Sequence, residues 1–174
     1  MKIIGLLFFT AILVSCGARY AVDYDPEKDF SEYTSYEFYD DIDSGLSVLE
    51  EDRIQKAIDS SLQKRGFIKT DDNRFYINFY AEEVISHSRS TLGIGVAGGG
   101  GNVGVGVSGG IPIGGRVVNQ RLTIDIVDAS LGQSLDWQVV IEGEIKEKAS
   151  PKQKEAYYFS VIDRALKKFP PKKK

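Results

Sequence analysis

The chain has 174 residues, of which 42% are apolar and 27% are charged, a composition typical of one globular domain and not of a disordered segment. Its formal net charge is −3 and its one basic run is the tail at 172–174, so the charge pattern does not indicate a nucleic-acid partner. The single cysteine excludes an intrachain disulfide.

The N-terminus predicts a lipoprotein signal peptide over residues 1–15. Lys2 precedes a largely apolar run at 3–14, which has the length of a signal-peptide core and falls short of the roughly 20 residues that span a bilayer. The run ends in LVSC at 13–16, which resembles a bacterial lipobox. Cleavage between Ser15 and Cys16 would make Cys16 the new N-terminus, carrying a thioether-linked diacylglycerol and usually a third acyl chain, such as palmitate. The alternative is an ordinary secretory signal with a chance cysteine.

The predicted lipid on Cys16 sets the expected location. Two or three acyl chains hold a protein stably on a membrane, whereas one chain does so only marginally. Gly17 follows the cysteine where an aspartate would favour retention in the inner membrane, by resemblance to known sorting rules. We therefore expect the protein to be anchored, without spanning, to the outer membrane and to face the periplasm.

The first half of the mature chain predicts a lead-in, a strand and a helix. Residues 16–32 are polar and interrupted by Pro26, which indicates an extended lead-in to a single domain at 33–171. The alternation at 34–39 places Tyr36 and Phe38 on one face of a strand. Ser47 begins a capping-box pattern, and Gly66 suits the end of the helix that follows.

The second half predicts three strands and a second helix. The strands cover 75–81, 117–127 and 135–142, and the last two form an antiparallel hairpin. In the last strand two sets of residues alternate. The set predicted to face inward is Leu135, Trp137, Val139 and Ile141, and the set predicted to face outward is Asp136, Gln138 and Glu142. A helix begins after Ser150 and buries Phe159, Ile162, Leu166 and Phe169. The fold class is therefore α+β: a two-layer sandwich with both helices on one face of a mainly antiparallel sheet.

A glycine-rich insert at 93–115 interrupts this pattern. Its first part, GIGVAGGGGNVGVGVSG at 93–109, matches G-x-G-x-x-G twice. A dinucleotide site needs a helix to open within the motif, and the glycines and Pro112 that follow the two matches prevent one, so nucleotide binding is not expected. The alternation with glycine predicts instead a hairpin with one bare face. Either it is a flexible surface hairpin, or its β-branched residues contact lipid or a partner protein: Ile94, Val96, Val103, Val105 and Val107.

No cluster in the sequence predicts catalysis, a cofactor or a metal site. The acidic stretch at 40–51 has Gly45 and Glu51 where a calcium loop needs them, but Ile42 stands in a ligand position. His87 is the single histidine and has no cysteine or histidine partner for zinc, and no nucleophile signature surrounds the nearby serines.

Several of these segments resemble a bacterial lipoprotein family, that of the domain of unknown function 4136. The segments are VDYDPEKDFSEY at 22–33, RIQKAI at 53–58, KRGF at 64–67, LTIDIVD at 122–128 and FPP at 169–171. The chain departs from the family after Trp137, where Gln138 and Val139 replace Arg-Gly-like residues. The resemblance implies a Gram-negative envelope lipoprotein and supplies no catalytic residues.

The sequence therefore predicts a non-enzymatic, lipid-anchored protein that binds another envelope component, which we expect to be a protein. The alternative is a lipoprotein whose glycine-rich hairpin contacts or inserts into the bilayer.

Overall fold

The computed structural model describes residues 18–87, 91–92, 111–112, 115–130 and 132–172. The strands are β1 Arg19–Tyr24, β2 Ser35–Phe38, β3 Ile68–Lys69, β4 Phe75–His87, β5 Thr91–Leu92, β6 Ile111–Pro112, β7 Arg116–Asp128 and β8 Leu135–Lys146. The helices are α1 Val48–Gln63 and α2 Pro151–Leu166, and a short 3-10 turn spans Phe30–Glu32.

The main sheet is mixed and mostly antiparallel. Its six strands lie in the order β1-β8-β7-β4-β2-β3, and only β2 runs parallel to its neighbours β3 and β4. β2 and β3 are parallel because α1, which connects them, returns the chain to the end of the sheet where β2 begins. The predicted α+β class with a mainly antiparallel sheet is confirmed.

Both helices begin at capping serines. Ser47 accepts a hydrogen bond from the Glu50 amide, and Ser150 forms a reciprocal capping box with Gln153. The helices run in the same direction: Lys154 contacts Glu50 near their starts, and Arg65 contacts Asp163 near their ends. Their C-terminal ends therefore lie together at one end of the domain.

The core fills the space between the helices and one face of the sheet. The inward residues of the four central strands are all buried, namely Tyr36, Phe38, Phe75, Ile77, Phe79, Leu122, Ile124, Ile126, Trp137, Val139 and Ile141. In α2 the predicted residues Ile162 and Leu166 are buried, and Phe169 is buried beyond the helix end. Phe159, also predicted to be buried, is only partly so. Its neighbour Tyr158 is buried instead, and its hydroxyl accepts a hydrogen bond from Gln120 at 2.8 Å, which satisfies that polar group inside the core.

The predicted lead-in at 16–32 contains part of the fold. Strand β1 pairs along its whole length with β8, from Arg19 opposite Glu142 to Tyr24 opposite Trp137. Tyr20 and Val22 pack against the core, and both are only partly buried because β1 is an edge strand. An edge strand with two half-buried apolar residues has a weak sequence pattern, and its distant partner is invisible to local periodicity.

The predicted faces of β8 are wrong at its start. The register between β7 and β8 shifts between Ile126 and Val127, so Asp136 is the extra residue of a β-bulge. The bulge turns Asp136 inward beside Trp137, where it is 2% exposed, and leaves Leu135 52% exposed. From Trp137 onward the predicted alternation is correct.

Candidate functional site

The residues that the sequence predicts as functional lie outside the described part of the chain. They are Ser15 and Cys16 at the lipobox, and Ile94, Val96, Val103, Val105 and Val107 in the glycine-rich insert. The insert is described only at Ile111–Pro112 and Gly115, and Ile111–Pro112 pairs antiparallel with Thr91–Leu92. The structure does describe the strands to which both segments connect.

Both segments connect to the same end of the sheet. Arg19 pairs with Glu142, which pairs with Arg121, which pairs with Glu82, so these four residues form one row across four strands. Beyond that row β4 continues to His87, which pairs with the first residue of β7. We call this end, where β1 and β7 begin and β4 and β8 finish, the proximal end, and the opposite one the distal end.

The proximal end carries exposed apolar side chains. Val48 and Leu49 in the first turn of α1 are 81% and 67% exposed, and Val84 in β4 is 65% exposed. Ile85 is also exposed. The amide of Ala81 donates to the carbonyl of Ser44 at 2.9 Å, which holds the start of α1 beside β4 at this end. Among the described large apolar side chains, Val48, Leu49 and Val84 are the most exposed.

The distal end is closed by a partly buried polar cluster, the aspartate clasp, formed by Lys28, Tyr33, Asp128 and Asp136, of which Tyr33 and Asp136 are buried. The Tyr33 hydroxyl donates to Asp136 and lies 3.1 Å from Asp128. The Lys28 ammonium donates to Asp128 and lies 2.8 Å from Asp136. The clasp fastens the segment after β1 to the β7–β8 turn.

The clasp shifts the pKa values of Tyr33 and Asp128 in opposite directions. Burial, together with the hydrogen bond and the negative charge of Asp136, raises the pKa of Tyr33 far above its usual range. Burial alone would raise the pKa of Asp128, but hydrogen bonds from Lys28, Ser130 and Tyr33 lower it well below the usual range. General acid–base catalysis works best with a pKa near the operating pH, so this arrangement suits a structural role.

An aromatic cluster lies directly beneath the clasp. The ring of Phe169 lies 5.3 to 6.3 Å from five other rings, those of Phe30, Tyr33, Phe67, Phe75 and Trp137. The segment at 22–33 therefore supplies one charged residue to the clasp and two rings, Phe30 and Tyr33, to the core.

The second face of the sheet is covered by neither helix. Across its centre Gln138 donates to Asp125 at 2.8 Å, and burial raises the pKa of Asp125 despite that hydrogen bond. Tyr80 lies opposite Thr123 in the next row, and Tyr39 stacks on Tyr76 with ring centroids 5.0 Å apart. We call this surface, with Tyr39, Tyr76, Tyr80, Asp125, Gln138 and Val140, the open face. Tyr80 is exposed on it, the other five are half-buried, and Thr123 at its centre is buried.

A groove of about 370 Å³ lies between the two helices near their C-terminal ends. Its one carboxylate, Asp163, is paired twice: Arg65 lies 3.2 Å from it and Lys167 lies 3.6 Å from it. Cations at this position also oppose the negative ends of both helix dipoles. Lys64 and Arg164 also line the groove, so its lining carries three cations against the single carboxylate of Asp163, and only the helix dipoles offset the remaining positive charge.

Two further findings concern the described ranges only. Within 18–87, 91–92, 111–112, 115–130 and 132–172, no group of three or more histidine, cysteine, aspartate or glutamate residues is arranged to hold a metal ion. Over these residues no helix combines the length and the apolar character needed to cross a membrane.

Comparison with solved structures identifies similar folds. A PDZ domain protein from Parabacteroides distasonis ATCC 8503 superposes with a TM-score of 0.52 at 15% identity, over 91% of this chain and 38% of that protein. The PelC dodecamer from Paraburkholderia phytofirmans superposes with a TM-score of 0.50 at 11% identity, over 86% of this chain and 94% of that one. At these identities the likeness concerns the fold alone.

Comparison by sequence identifies the family. No curated protein matches the chain. Residues 20–171 match a family described as Domain of unknown function (DUF4136), which takes in every element of the main sheet and both helices except the first residue of β1. The chain belongs to the DUF4136 family.

Proposed function

We propose that this chain is a non-enzymatic, lipid-anchored protein of the bacterial envelope, held on the outer membrane and facing the periplasm, and that its open face binds a partner protein. The observation that carries the proposal is the LVSC sequence at 13–16 directly before a folded domain. β1 begins at Arg19, so only Gly17 and Ala18 separate Cys16 from the sheet. Three residue steps extend at most about 10 Å.

So short a tether favours a binding module that works beside the membrane. A domain on a flexible linker can search a large volume, and its effective concentration at any one place falls as the linker lengthens. A domain held within about 10 Å of its anchor instead keeps one surface near the lipid and presents the others at a fixed height. This is useful for recruiting or positioning another membrane-attached protein.

The chemistry of the described residues favours binding over catalysis. The most strongly coupled ionisable group, the aspartate clasp, uses its two carboxylates to hold Lys28 and Tyr33. The pKa of Tyr33 is raised and that of Asp128 is lowered, so neither group titrates near neutral pH. A proton donor or acceptor in that range is what an acid–base enzyme needs.

The open face has the mixed character of a protein-recognition surface. Tyr39, Tyr76 and Tyr80 offer apolar rings with a polar tip, and tyrosine is enriched in the cores of protein interfaces. The charges beside them alternate along one row, with Glu82 opposite Arg121 and Glu142 opposite Arg19. Because that row is already balanced, the face suits a protein surface better than a polyanion.

The anchoring half of the proposal is tested by mass spectrometry of the protein extracted from membranes. We expect the mature chain to begin at Cys16 and to carry the mass of a diacylglyceryl group with a further acyl chain. A Cys16→Ala variant should lose both the added mass and its sedimentation with membranes. A mature wild-type chain with an unmodified thiol would refute the anchoring.

The binding half is tested by site-specific photo-crosslinking in cells. A photoreactive amino acid at Tyr80 should capture one identified envelope protein, whereas the same group at Lys56, exposed on α1 on the opposite side of the sheet, should not. Purified partner should then bind wild-type protein, and Tyr80→Arg should weaken that binding. Equal capture from both positions would contradict the assignment of the open face.

A further inference from the structure

The exposed apolar residues of the proximal end lie at the same end of the domain as the chain leading to Cys16. Val84 lies two residues, about 7 Å, and Ile85 three residues, about 10 Å, beyond the row that contains Arg19. Cys16 lies three residue steps before Arg19, which also extend about 10 Å when the chain is straight. The tether therefore brings its end to the level of Val84 and Ile85 and no further.

The β4–β7 ribbon reaches at least as far as that tether. His87 is five residues beyond the row of Arg19, a rise of about 17 Å. With the strands upright on a membrane, the acyl chains on Cys16 could not enter the bilayer unless the tip of the ribbon reached the lipid as well. Sideways, β1 and β4 are three strands apart, about 14 Å, so ribbon and tether would meet the same patch of membrane.

The exposed apolar side chains at the proximal end favour the orientation with the strands upright on the membrane. Val48, Leu49, Val84 and Ile85 expose large apolar side chains there, from the first turn of α1 and from β4. Val84 and Ile85 are consecutive in a strand and so point to opposite faces of the ribbon, which gives each face one exposed apolar side chain beside charged neighbours such as Glu82 and Arg116. Water-exposed apolar groups gain free energy on transfer to an acyl-chain environment.

We propose that Val48, Leu49, Val84 and Ile85 form a membrane-docking surface, and that its occupant is the phospholipid bilayer that holds the acyl chains of Cys16. This inference rests on the proposed lipidation of Cys16. The surface fixes the orientation of the domain, with the strands upright, the aspartate clasp pointing away from the membrane and the open face turned sideways. Apolar insertion drives the docking, so it persists at high salt, unlike attachment through a basic patch.

The lipidated full-length protein offers a direct test because it has one cysteine, and lipidation consumes that thiol. Val84→Cys or Leu49→Cys then supplies the single reactive thiol for an environment-sensitive fluorophore. Ile68→Cys is a matched control, since Ile68 is 64% exposed against 65% for Val84 but lies at the distal end. The labelled proteins are reconstituted in phosphatidylcholine vesicles that carry a quencher on the acyl chains.

We expect the fluorophore at position 84 and at position 49 to shift to the blue and to be quenched several-fold more strongly than at position 68, at low and at high salt. The second labelling site keeps the test decisive if one variant does not fold. Labels at 84 and 49 that resemble the label at 68 would overturn the inference. Protection from water without quenching by the lipid would also overturn it, since that result means contact with a second protein copy.

The failure of the anchoring proposal gives a different result. Without lipidation Cys16 keeps a free thiol, the control protein with no added cysteine takes up label, and the protein does not bind vesicles. That outcome refutes the anchoring and the docking surface together. Lipidated, vesicle-bound protein with a water-exposed label at positions 84 and 49 refutes the docking surface alone.

Discussion

The aspartate clasp predicts a large loss of stability for Asp136→Asn. Asp136 accepts a hydrogen bond from the Tyr33 hydroxyl and one from Ser134 at 2.7 Å, and it lies 2.8 Å from the Lys28 ammonium. Asparagine has nearly the same volume, so the packing around it is kept. It removes the negative charge, however, and replaces one oxygen with an NH₂ group that cannot accept the bonds of Tyr33 and Lys28.

The expected loss is about 2 kcal/mol. A hydrogen bond to a charged group is worth about 1.5–3 kcal/mol, and a buried donor left without an acceptor adds its desolvation cost. Asp128 remains beside both Lys28 and Tyr33 and limits the damage, which places the estimate at the lower end. A loss of this size lowers the melting temperature of a domain of this length by roughly 4–8 °C and the urea midpoint by about 1 M.

Asp125→Asn is the matched control for this experiment. It is the same substitution in the neighbouring strand, on the open face, where burial raises the pKa of the carboxyl and so disfavours its charged form. Removing that charge should leave the free energy of unfolding within about 0.5 kcal/mol of the wild type or raise it slightly. Urea unfolding of both variants at neutral pH decides the matter: if Asp136→Asn loses no more stability than Asp125→Asn, the clasp does not stabilise the fold as described.

Three further predictions concern the core, acid stability and one turn. Phe169→Ala should lower the free energy of unfolding by about 3–5 kcal/mol and weaken the near-UV circular dichroism, because its ring contacts five others; a loss under about 1 kcal/mol would contradict that packing. Because the pKa of Asp128 is lowered, its contribution to the free energy of unfolding is complete above the ordinary aspartate pKa near 4 and is lost as the pH falls toward the lower pKa of the folded protein. Asp128→Asn should therefore flatten the decline of the urea midpoint below about pH 4. An unchanged decline would mean that other groups cause the acid sensitivity. Gly45→Ala should lower the melting temperature more than Gly66→Ala. Both glycines have positive φ, but only at position 45 would a Cβ lie 3.0 Å from the Ala81 carbonyl. Equal decreases in melting temperature would show that the turn at Gly45 can move enough to accommodate the Cβ.

The elements that local patterns predicted are those whose residues face one core. The helix after Ser47 and the strand with Tyr36 and Phe38 have a regular period and a clear start, and both are found with small changes of boundary. The antiparallel hairpin of β7 and β8 was predicted for the same reason. Its apolar residues alternate over many positions, and the central part of the inward face, with Leu122, Ile124, Ile126, Trp137, Val139 and Ile141, is buried.

The errors arise where distant contacts decide the structure. Residues 19–24 become a strand only because β8 offers an edge, and nothing in the segment itself specifies that partner. Asp136 points inward because of a bulge in the β7–β8 ladder and because Lys28 and Tyr33, far away in sequence, neutralise it there. Strict alternation assigns a carboxylate to solvent, so the whole clasp was missed. The lysine and tyrosine of the 22–33 motif were its one signal.

The candidate site divides in the same way. Cys16 and the apolar residues of the insert follow from sequence patterns alone, and they remain predictions. The proximal apolar residues could not be found in that way, because Val48, Leu49, Val84 and Ile85 look like ordinary members of a helix and a strand. The register of the sheet places Val84 and Ile85 at the end where β1 starts, and the hydrogen bond between Ala81 and Ser44 brings the start of α1 to the same end.

Strand β1 has a consequence for the order in which the sheet is completed. It is the first strand of the chain, and its partner β8 is the last, with Arg19 opposite Glu142. Contacts between such distant segments form slowly. Until β1 docks, the long strand β8 keeps an open edge on which another unfinished chain could pair. The N-terminal strand thus covers the last open edge of β8. A chain without β1 should therefore aggregate even where the rest of the domain still folds.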